Sequence, residues 1–294
     1  MKQENLNYII STDSGCDLSI EVLKENNIIP LFMHYYDDEG IYTDTMESED
    51  IIKFYHNMIS GKMYKTTAVN ISEGYDFLKK LIEYGKPIIH ISLGSGISGT
   101  YNNMEKAKEL ILNDYPNADI TIIDSTLASL GYGLLVLEAA TLRKEGKTKE
   151  EVINYLESVK LGVNPYYTTN TLTYFARGGR VTKIASIFGN VLSIRPILRL
   201  DDKGCLLVHT KGHGKKNTMK KIVELVKEAG IDLRNQTLYI SHSLATDDAI
   251  EYGELLKKEL GFKDILYSYI GTIIGSHTGP GLVAVFFHGK DRFE

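Results

Sequence analysis

The chain has 294 residues, a net charge of −5 and a pI near 5.9. It therefore lacks the basic excess that a nucleic acid or an anionic membrane surface attracts, and we expect neither as a partner. No apolar run reaches the ~18 residues of a membrane-spanning helix, and the polar opening residues predict no signal peptide. We therefore expect a cytoplasmic protein without an integral membrane segment. Cys16 and Cys205 are too far apart in the sequence to indicate a metal site or a redox pair.

The first half of the chain alternates short apolar runs with amphipathic segments. Turn residues bound the apolar runs, and hydroxyl or acidic side chains precede several of the amphipathic segments. Such alternation predicts an α/β fold with a parallel sheet and helices on both faces. The predicted strands are 8–11, 28–35, 88–93 and 120–123, and the predicted helices are 18–26, 49–60, 72–84, a segment through 104–111, and 127–144.

The pattern changes after a further predicted helix at 149–161. The turn 201–204 separates two strand-like runs and predicts a β-hairpin. Strands mixed with helices indicate a second, smaller α+β domain, so we predict domains 1–160 and 161–294 with a cleft between them. The predicted strands here are 163–169, 172–175, 194–200, 206–211, 238–241, 265–270 and 282–288, and the predicted helices are 184–192, 215–229 and 246–260.

A glycine loop between a predicted strand and the following helix is the first candidate for a binding site. Gly94, Gly96 and Gly99 allow the backbone to turn sharply and to approach a ligand closely. Ser95 and Ser98 add hydroxyl groups near the start of the helix. Free N–H groups, the positive end of a helix dipole and these hydroxyls together predict an anion site.

The same loop allows an alternative function. Gly94-x-Gly96-x-x-Gly99 matches the dinucleotide fingerprint, and Asp124 ends the next predicted strand, where a ribose-binding acid would stand. Against a dinucleotide-binding enzyme, three predicted strands precede the loop, and its serines offer more donors than a pyrophosphate needs. We interpret Asp124 and Asp13 as loop-capping residues rather than an acid–base pair. A glycine turn without any ligand also stays open at this point.

Two further donor-rich segments lie far from the glycine loop in the sequence. Thr66 and Thr67 precede the predicted helix 72–84, and a second predicted glycine loop, 274–281, contains His277. Three such loops, without a metal-ligand cluster or a nucleophile–base spacing, indicate that a small anion is oriented rather than that a bond is broken. We therefore predict a binding protein and not an enzyme, with no catalytic residue, no metal and no cofactor.

Five sequence motifs are specific in combination. They are 12–18 (Thr-Asp-Ser-Gly-Cys-Asp-Leu), 93–101, 124–133, 177–180 (Arg-Gly-Gly-Arg) and 277–281 (His-Thr-Gly-Pro-Gly). Together they resemble the DegV family of fatty-acid-binding proteins, which includes the binding subunits of bacterial fatty acid kinase. The resemblance covers nearly the whole chain.

The resemblance implies an α/β domain joined to a smaller α+β domain, with a fatty acid in a tunnel between them. It implies that the carboxylate is held by Thr66, Ser98 and His277, with Ser95 and Thr67 as neighbouring candidates. The implied ligand is a long-chain acid, such as one of sixteen or eighteen carbons. The apolar segment 184–192 is a candidate wall of the tunnel.

The resemblance also bears on a partner protein. On the residues alone, Arg177 and Arg180 are interpreted as surface charges of a solvated turn. The resemblance instead implies contact with an acidic partner or a phosphate, which suits the bidentate donors of arginine, and a fatty acid kinase is the implied partner.

Two segments depart from the family. Residues 66–70 read Thr-Thr-Ala-Val-Asn where many members have Thr-Ser-Gln-Pro-Ser, and 211–216 lack the arginines that kinase-partner members tend to carry there.

Overall fold

The computed structural model describes residues 6–180 and 194–292, which form three β-sheets with helices packed around them. The predicted helix 184–192, and with it the candidate tunnel wall, lies outside the described residues. The strands are β1 (Ile9–Asp13), β2 (Ile28–Leu31), β3 (His34–Tyr36), β4 (Ile41–Thr43), β5 (Lys65–Thr66), β6 (Ile88–Ser92), β7 (Ile120–Asp124), β8 (Val163–Thr168), β9 (Ile194–Leu200), β10 (Leu206–His213), β11 (Thr237–His242), β12 (Asp264–Tyr269) and β13 (Val283–His288). The helices are α1 (Ile20–Glu25), α2 (Ser48–Ile59), α3 (Ile71–Ile82), α4 (Thr100–Asp114), α5 (Leu130–Lys144), α6 (Lys149–Val159), α7 (Thr173–Gly178), α8 (Gly214–Ala229), α9 (Thr246–Leu260) and α10 (Thr272–Thr278).

The first sheet is parallel, with the strand order β2-β1-β6-β7. Every residue of β1 and β6 is buried, as expected for a parallel sheet covered on both faces. Ile9 clusters with Leu81 of α3, whereas Ile10, which points to the opposite face, belongs to the main core. Helix α5 packs against β1 and β6. The predicted α/β class, with helices on both faces of a parallel sheet, is confirmed.

The second sheet has the order β10-β9-β8-β13-β11-β12 and is antiparallel except for the β11–β12 pair. A turn joins β9 to β10, in which the Cys205 carbonyl accepts from the Asp201 N–H, so the predicted hairpin is present. Helices α8 and α9 supply a separate core on one face of this sheet. Its first strand begins at Val163. The domain boundary at 160 and 161 stays a prediction.

The third sheet, with the order β4-β3-β5, brings Thr66 next to an aromatic cluster. Tyr35 of β3 pairs with Thr66 of β5. The Tyr35 ring lies 5.3 Å from Phe54 and 5.4 Å from Tyr64, in edge-to-face contacts that hold the sheet against α2. The predicted strand 28–35 is therefore wrong as a single element, because β2 and β3 belong to different sheets.

Two further segments differ from the sequence prediction. The predicted strand 172–175 is wrong: the segment contributes to helix α7, which buries Phe175 and ends where Gly179 takes a left-handed conformation with φ of 64°. The predicted glycine loop 274–281 is largely helix α10, because Gly275 allows this helix to pack closely on the Tyr55 ring. Only the last glycines of that segment lie beyond the helix.

Candidate ligand-binding site

Thr66 and His277, which are far apart in the sequence, meet in the folded chain. Their Oγ1 and Nε2 atoms form a hydrogen bond of 2.7 Å. Strand β5 presents Thr66, and the last turn of α10 presents His277. Both residues are half-buried. Two of the three predicted donor segments therefore converge on one point.

His277 is held in its neutral form. Burial, and after it the positive charge of Arg180, lower the pKa of His277 to about 4. Its Nδ1 atom is buried and has no hydrogen-bond partner among the described residues. Gly178 lies against the same ring edge, since a Cβ at this position would stand 2.6 Å from Nδ1. The imidazole thus has one nitrogen paired with Thr66 and one nitrogen unpaired beside the α7 backbone.

An apolar cavity adjoins this imidazole, and its exposed lining surface is apolar. Residues of the first half of the chain line one part of it, and residues of the second sheet, α7, α10 and the segments next to them line the rest. Arg180 contributes a positively charged side chain to the lining. The lining residues are Ile97, Ala128, Ser129, Tyr167, Phe175, Arg180, Leu200, Leu206, Ile270, Ile274, His277, Thr278 and Leu282.

The glycine loop makes its close approaches to protein backbone. A Cβ at Gly94 would stand 2.7 Å from the Leu127 nitrogen. A Cβ at Gly96 would stand 2.2 Å from the Lys203 carbonyl oxygen, at the tip of the β9–β10 hairpin. By contrast, a Cβ at Gly99 would meet nothing closer than 4.0 Å. The first two glycines are therefore required for packing of this chain against itself.

The polar groups of the glycine loop are also bonded within the protein. Asp124 accepts from the Ser95 N–H and hydroxyl over 3.0 and 2.5 Å. The Ser98 hydroxyl lies 2.9 Å from Thr100 Oγ1, and Asp13 accepts from the Leu93 N–H over 2.8 Å. The interpretation of both acids as loop-capping residues is confirmed. This geometry speaks against the dinucleotide alternative, because its ribose acid and two of its fingerprint glycines are engaged by the protein.

The predicted site residues consequently separate into groups. Thr66 bonds to His277, which lines the cavity, whereas Ser95 bonds to Asp124 at the end of β7, Ser98 bonds to the nearby Thr100, and Thr67 is exposed. The assignment of a carboxylate to any of these five residues stays a prediction.

The two arginines of the predicted basic turn point to different places. Arg177 lies on α7 and donates to the Met63 sulfur over 2.9 Å. Arg180 folds over its own turn, donates to the Gly178 carbonyl over 2.5 Å and lines the cavity. Both residues are exposed, and a partner or phosphate contact stays a prediction for each.

Sequence reasoning missed the cavity lining and the position of Arg180 within it. Leu200 and Leu206 carried a usable signal, since they flank the turn of a predicted hairpin and would lie side by side. Ile97, inside the glycine loop, carried none, because one apolar residue in a loop has no periodicity. Arg180 could not be placed, because its neighbour His277 is remote in the sequence.

Neither a metal centre nor a membrane span is found in the part of the chain that the structure describes. In residues 6–180 and 194–292, no group of three or more His, Cys, Asp and Glu side chains could hold a metal ion. No helix in these ranges is long and apolar enough to cross a membrane. Cys16 is buried, and burial raises the pKa of its thiol well above the usual range, which agrees with a packing role.

Comparison with known proteins identifies the family. Residues 8–290 match the family model described as "Uncharacterised protein, DegV family". The chain is 36% identical over 286 residues to the DegV domain-containing protein CPE0026 of Clostridium perfringens, covering 97% of this chain and 98% of that protein. This chain belongs to the DegV family. The resemblance found in the sequence motifs is confirmed.

Solved DegV structures share the fold. The structure resembles that of DegV, a fatty acid binding protein from Bacillus subtilis, with a TM-score of 0.84, 26% identity and coverage of 97% of this chain and 100% of that chain. It also resembles a stearic acid-binding protein from Eubacterium ventriosum, with a TM-score of 0.86, 23% identity and coverage of 98% and 100%. The DegV-like fold is therefore confirmed, and long-chain fatty acids are ligands of relatives with this fold.

Proposed function

We propose that this chain binds a long-chain fatty acid, of about sixteen or eighteen carbons, with its tail in the apolar cavity and its carboxylate at Thr66 and His277. The observation that carries the proposal is that this donor pair adjoins a cavity whose exposed lining is apolar. Fatty acid binding by DegV relatives supports it. We place the protein in the cytoplasm.

The carboxylate end can be described chemically. If the Thr66 hydroxyl donates to Nε2 of the neutral imidazole, the ring proton resides on Nδ1, which is buried and unpaired among the described atoms. We propose that this N–H, which lies beside Gly178, donates to a ligand oxygen. Arg180 adds a positive charge near the same ring. These groups offset the cost of taking a carboxylate out of water, and so fix its orientation more than they supply affinity.

Most of the affinity comes from the tail. Burial of one methylene contributes about 0.8 kcal/mol, so a sixteen-carbon chain has on the order of 12 kcal/mol of gross transfer free energy before ordering costs. The apolar lining residues, such as Leu200 and Phe175, are the contacts that realise this energy. A short-chain acid with the same carboxylate should therefore bind far more weakly.

Native mass spectrometry of the purified protein, before and after organic extraction, tests the proposal directly. We expect a bound long-chain fatty acid that extraction removes. Bound NAD would favour the dinucleotide alternative. A protein that carries no lipid and takes none up from a fatty acid solution would reject the proposal.

We also propose that the protein has no hydrolytic activity of its own. Among the described residues, the His277 ring forms a hydrogen bond with Thr66, and the Ser98 hydroxyl forms one with Thr100. Ser98 and His277 therefore do not form a nucleophile–base pair. Steady turnover of a simple acyl ester, abolished by Ser98→Ala, would show that Ser98 is a nucleophile.

We also propose that the protein presents its bound fatty acid to a fatty acid kinase. Arg177 is exposed on α7, and its guanidinium lies outside the cavity lining. Arg177→Ala should leave lipid binding within about threefold while lowering acyl-phosphate formation by a cognate kinase at least tenfold, or ~1.4 kcal/mol. Arg180→Ala is a poor test of the partner alone, because Arg180 lines the cavity. Unchanged phosphorylation in the Arg177 variant would leave this residue as a surface charge.

A further inference from the structure

Helix α10 is held at its start by Asp17. The Gly271 N–H, directly before the helix, donates to Asp17 Oδ1 over 2.9 Å. The Ser268 hydroxyl donates to the Asp17 carbonyl oxygen over 2.5 Å. Asp17 is only 4% exposed. One residue thus ties both the end of β12 and the start of α10 to the loop that follows β1.

Helix α10 depends on such contacts for its position. It has seven residues, and no side chain of its N-cap residue, Gly271, caps it. A helix of this length is unstable in water by itself, so tertiary contacts at its ends decide where it lies. His277 stands in its last turn. A shift at the Asp17 end would therefore move the imidazole.

The same loop also supports Thr66. The Ser14 hydroxyl oxygen accepts from the Met33 N–H over 3.1 Å. Met33 directly precedes β3, and β3 pairs with β5 so that Tyr35 stands opposite Thr66. Residues 14–17 therefore contact the supports of both partners in the Thr66–His277 hydrogen bond.

We propose that Asp17 is a positioning residue for the ligand-binding site, which acts through α10 to keep His277 Nε2 within hydrogen-bonding distance of Thr66. The inference rests on the proposed function for its effect on lipid binding. It gives a role to the opening motif 12–18, whose Asp17 is not itself a lining residue of the cavity.

The burial of Asp17 supports this role. Burial, together with the nearby negative charges of Asp44 and Asp13, raises the pKa of Asp17 well above its usual range. A carboxylate destabilises the folded state at such a position, since burial of a charge is unfavourable unless the charge is paired. Its Oδ1 nevertheless accepts the one N–H that begins α10.

The test compares three variants of the full chain. Asp17→Ala removes the acceptor for Gly271, and Asp17→Asn keeps an oxygen there. Ser11→Ala is the matched control, because Ser11 is equally buried in β1 but bonds to His90, away from α10. The lipid-free proteins are examined by ¹⁵N NMR of the His277 ring, and fatty acid affinity is measured by isothermal titration calorimetry.

We expect the pKa of His277 in Asp17→Ala to move from about 4 toward the ordinary value of about 6.5, and its affinity to fall about tenfold. Asp17→Asn should return affinity to within about threefold of the parent, and Ser11→Ala should change neither measurement. Unchanged His277 signals in folded Asp17→Ala would overturn the inference.

A milder variant covers the case in which Asp17→Ala does not fold. Ser268→Ala removes the hydroxyl that donates to the Asp17 carbonyl and, over 3.4 Å, to the Tyr269 carbonyl, but it keeps the Asp17 side chain. It should shift the His277 signals in the same direction. If they stay at the parent positions, the inference is wrong. Because the NMR measurement uses lipid-free protein, failure of the parent to bind lipid would reject the proposed function without affecting this result.

Discussion

Two regions of this protein look alike in the sequence and differ in the fold. The glycine loop 94–99 and the Thr66–His277 pair both combine hydroxyl or imidazole donors with nearby glycines. In the glycine loop, Ser95 bonds to Asp124, and Gly96 packs on the hairpin tip. At the pair, His277 lines an apolar cavity, and one of its ring nitrogens lies unpaired beside Gly178.

The difference shows that a count of donors does not identify a binding site. A hydroxyl that already satisfies a carboxylate of its own chain contributes little to a ligand, because binding would exchange one hydrogen bond for another. A buried nitrogen without a partner gains a hydrogen bond when a ligand oxygen arrives. Four measurements test this contrast.

The largest expected effect is a pH dependence due to His277. Its pKa is about 4 in the folded chain and about 6.5 when unfolded, so the unfolded state binds more protons between these values. The contribution of His277 to the free energy of unfolding should therefore fall by about 3 kcal/mol as the pH falls from about 6.5 to 4. Because burial raises the pKa of Asp44 to about 6 and gives an opposite contribution in this range, the loss is measured as the difference between the urea unfolding profiles of the parent and of His277→Gln. Equal profiles would mean that His277 is not held neutral by burial.

The next effect concerns glycine packing. Gly96→Ala would place a methyl group against the Lys203 carbonyl and should lower the free energy of unfolding by about 2 kcal/mol. Gly99→Ala is the matched control, since its Cβ has room. Thermal unfolding should separate the two variants. Similar unfolding midpoints of the two variants would show that the β9–β10 hairpin does not pack closely on Gly96.

At the donor pair, Thr66→Val keeps the side-chain shape and removes the hydroxyl. Affinity for a sixteen-carbon acid should fall about tenfold, or ~1.4 kcal/mol. Thr67→Val, at the exposed neighbour, should leave affinity within about twofold. Calorimetric titration of both variants decides which threonine serves the ligand, and a larger loss at Thr67 would reverse the assignment.

The smallest effect is expected for Ser95. Ser95→Ala should cost about 1 kcal/mol of stability through its lost bond to Asp124, and should leave fatty acid affinity unchanged. Ser98→Ala should be measured in the same experiment. It tests whether Ser98, the serine that the family resemblance favours, holds the carboxylate. A tenfold loss of affinity in Ser98→Ala alone would show that Ser98 also contributes to the site. A tenfold loss in Ser95→Ala would contradict the contrast between the two regions.

Much of the fold follows from local sequence patterns. Strands β1 and β6 were predictable because each begins with a pair of isoleucines in a short, mainly apolar run, as is typical of strands covered on both faces. The errors fell on short elements. Helix α7 and helix α10 span six and seven residues, which is too few for a helical period to appear in the sequence. Burial of Phe175 stabilises α7, and close packing on Tyr55 stabilises α10.

The α/β class, the hairpin, the family and the residue types able to hold an anion could be predicted from the sequence, because each depends on neighbouring residues or on linear motifs. Which donors already have a partner within the protein depends on the folded chain. Asp124 reaches Ser95, and Thr66 reaches His277, across long stretches of chain. A hydrogen bond between residues remote in sequence leaves no local pattern, so the folded chain alone shows which of these polar groups satisfy one another.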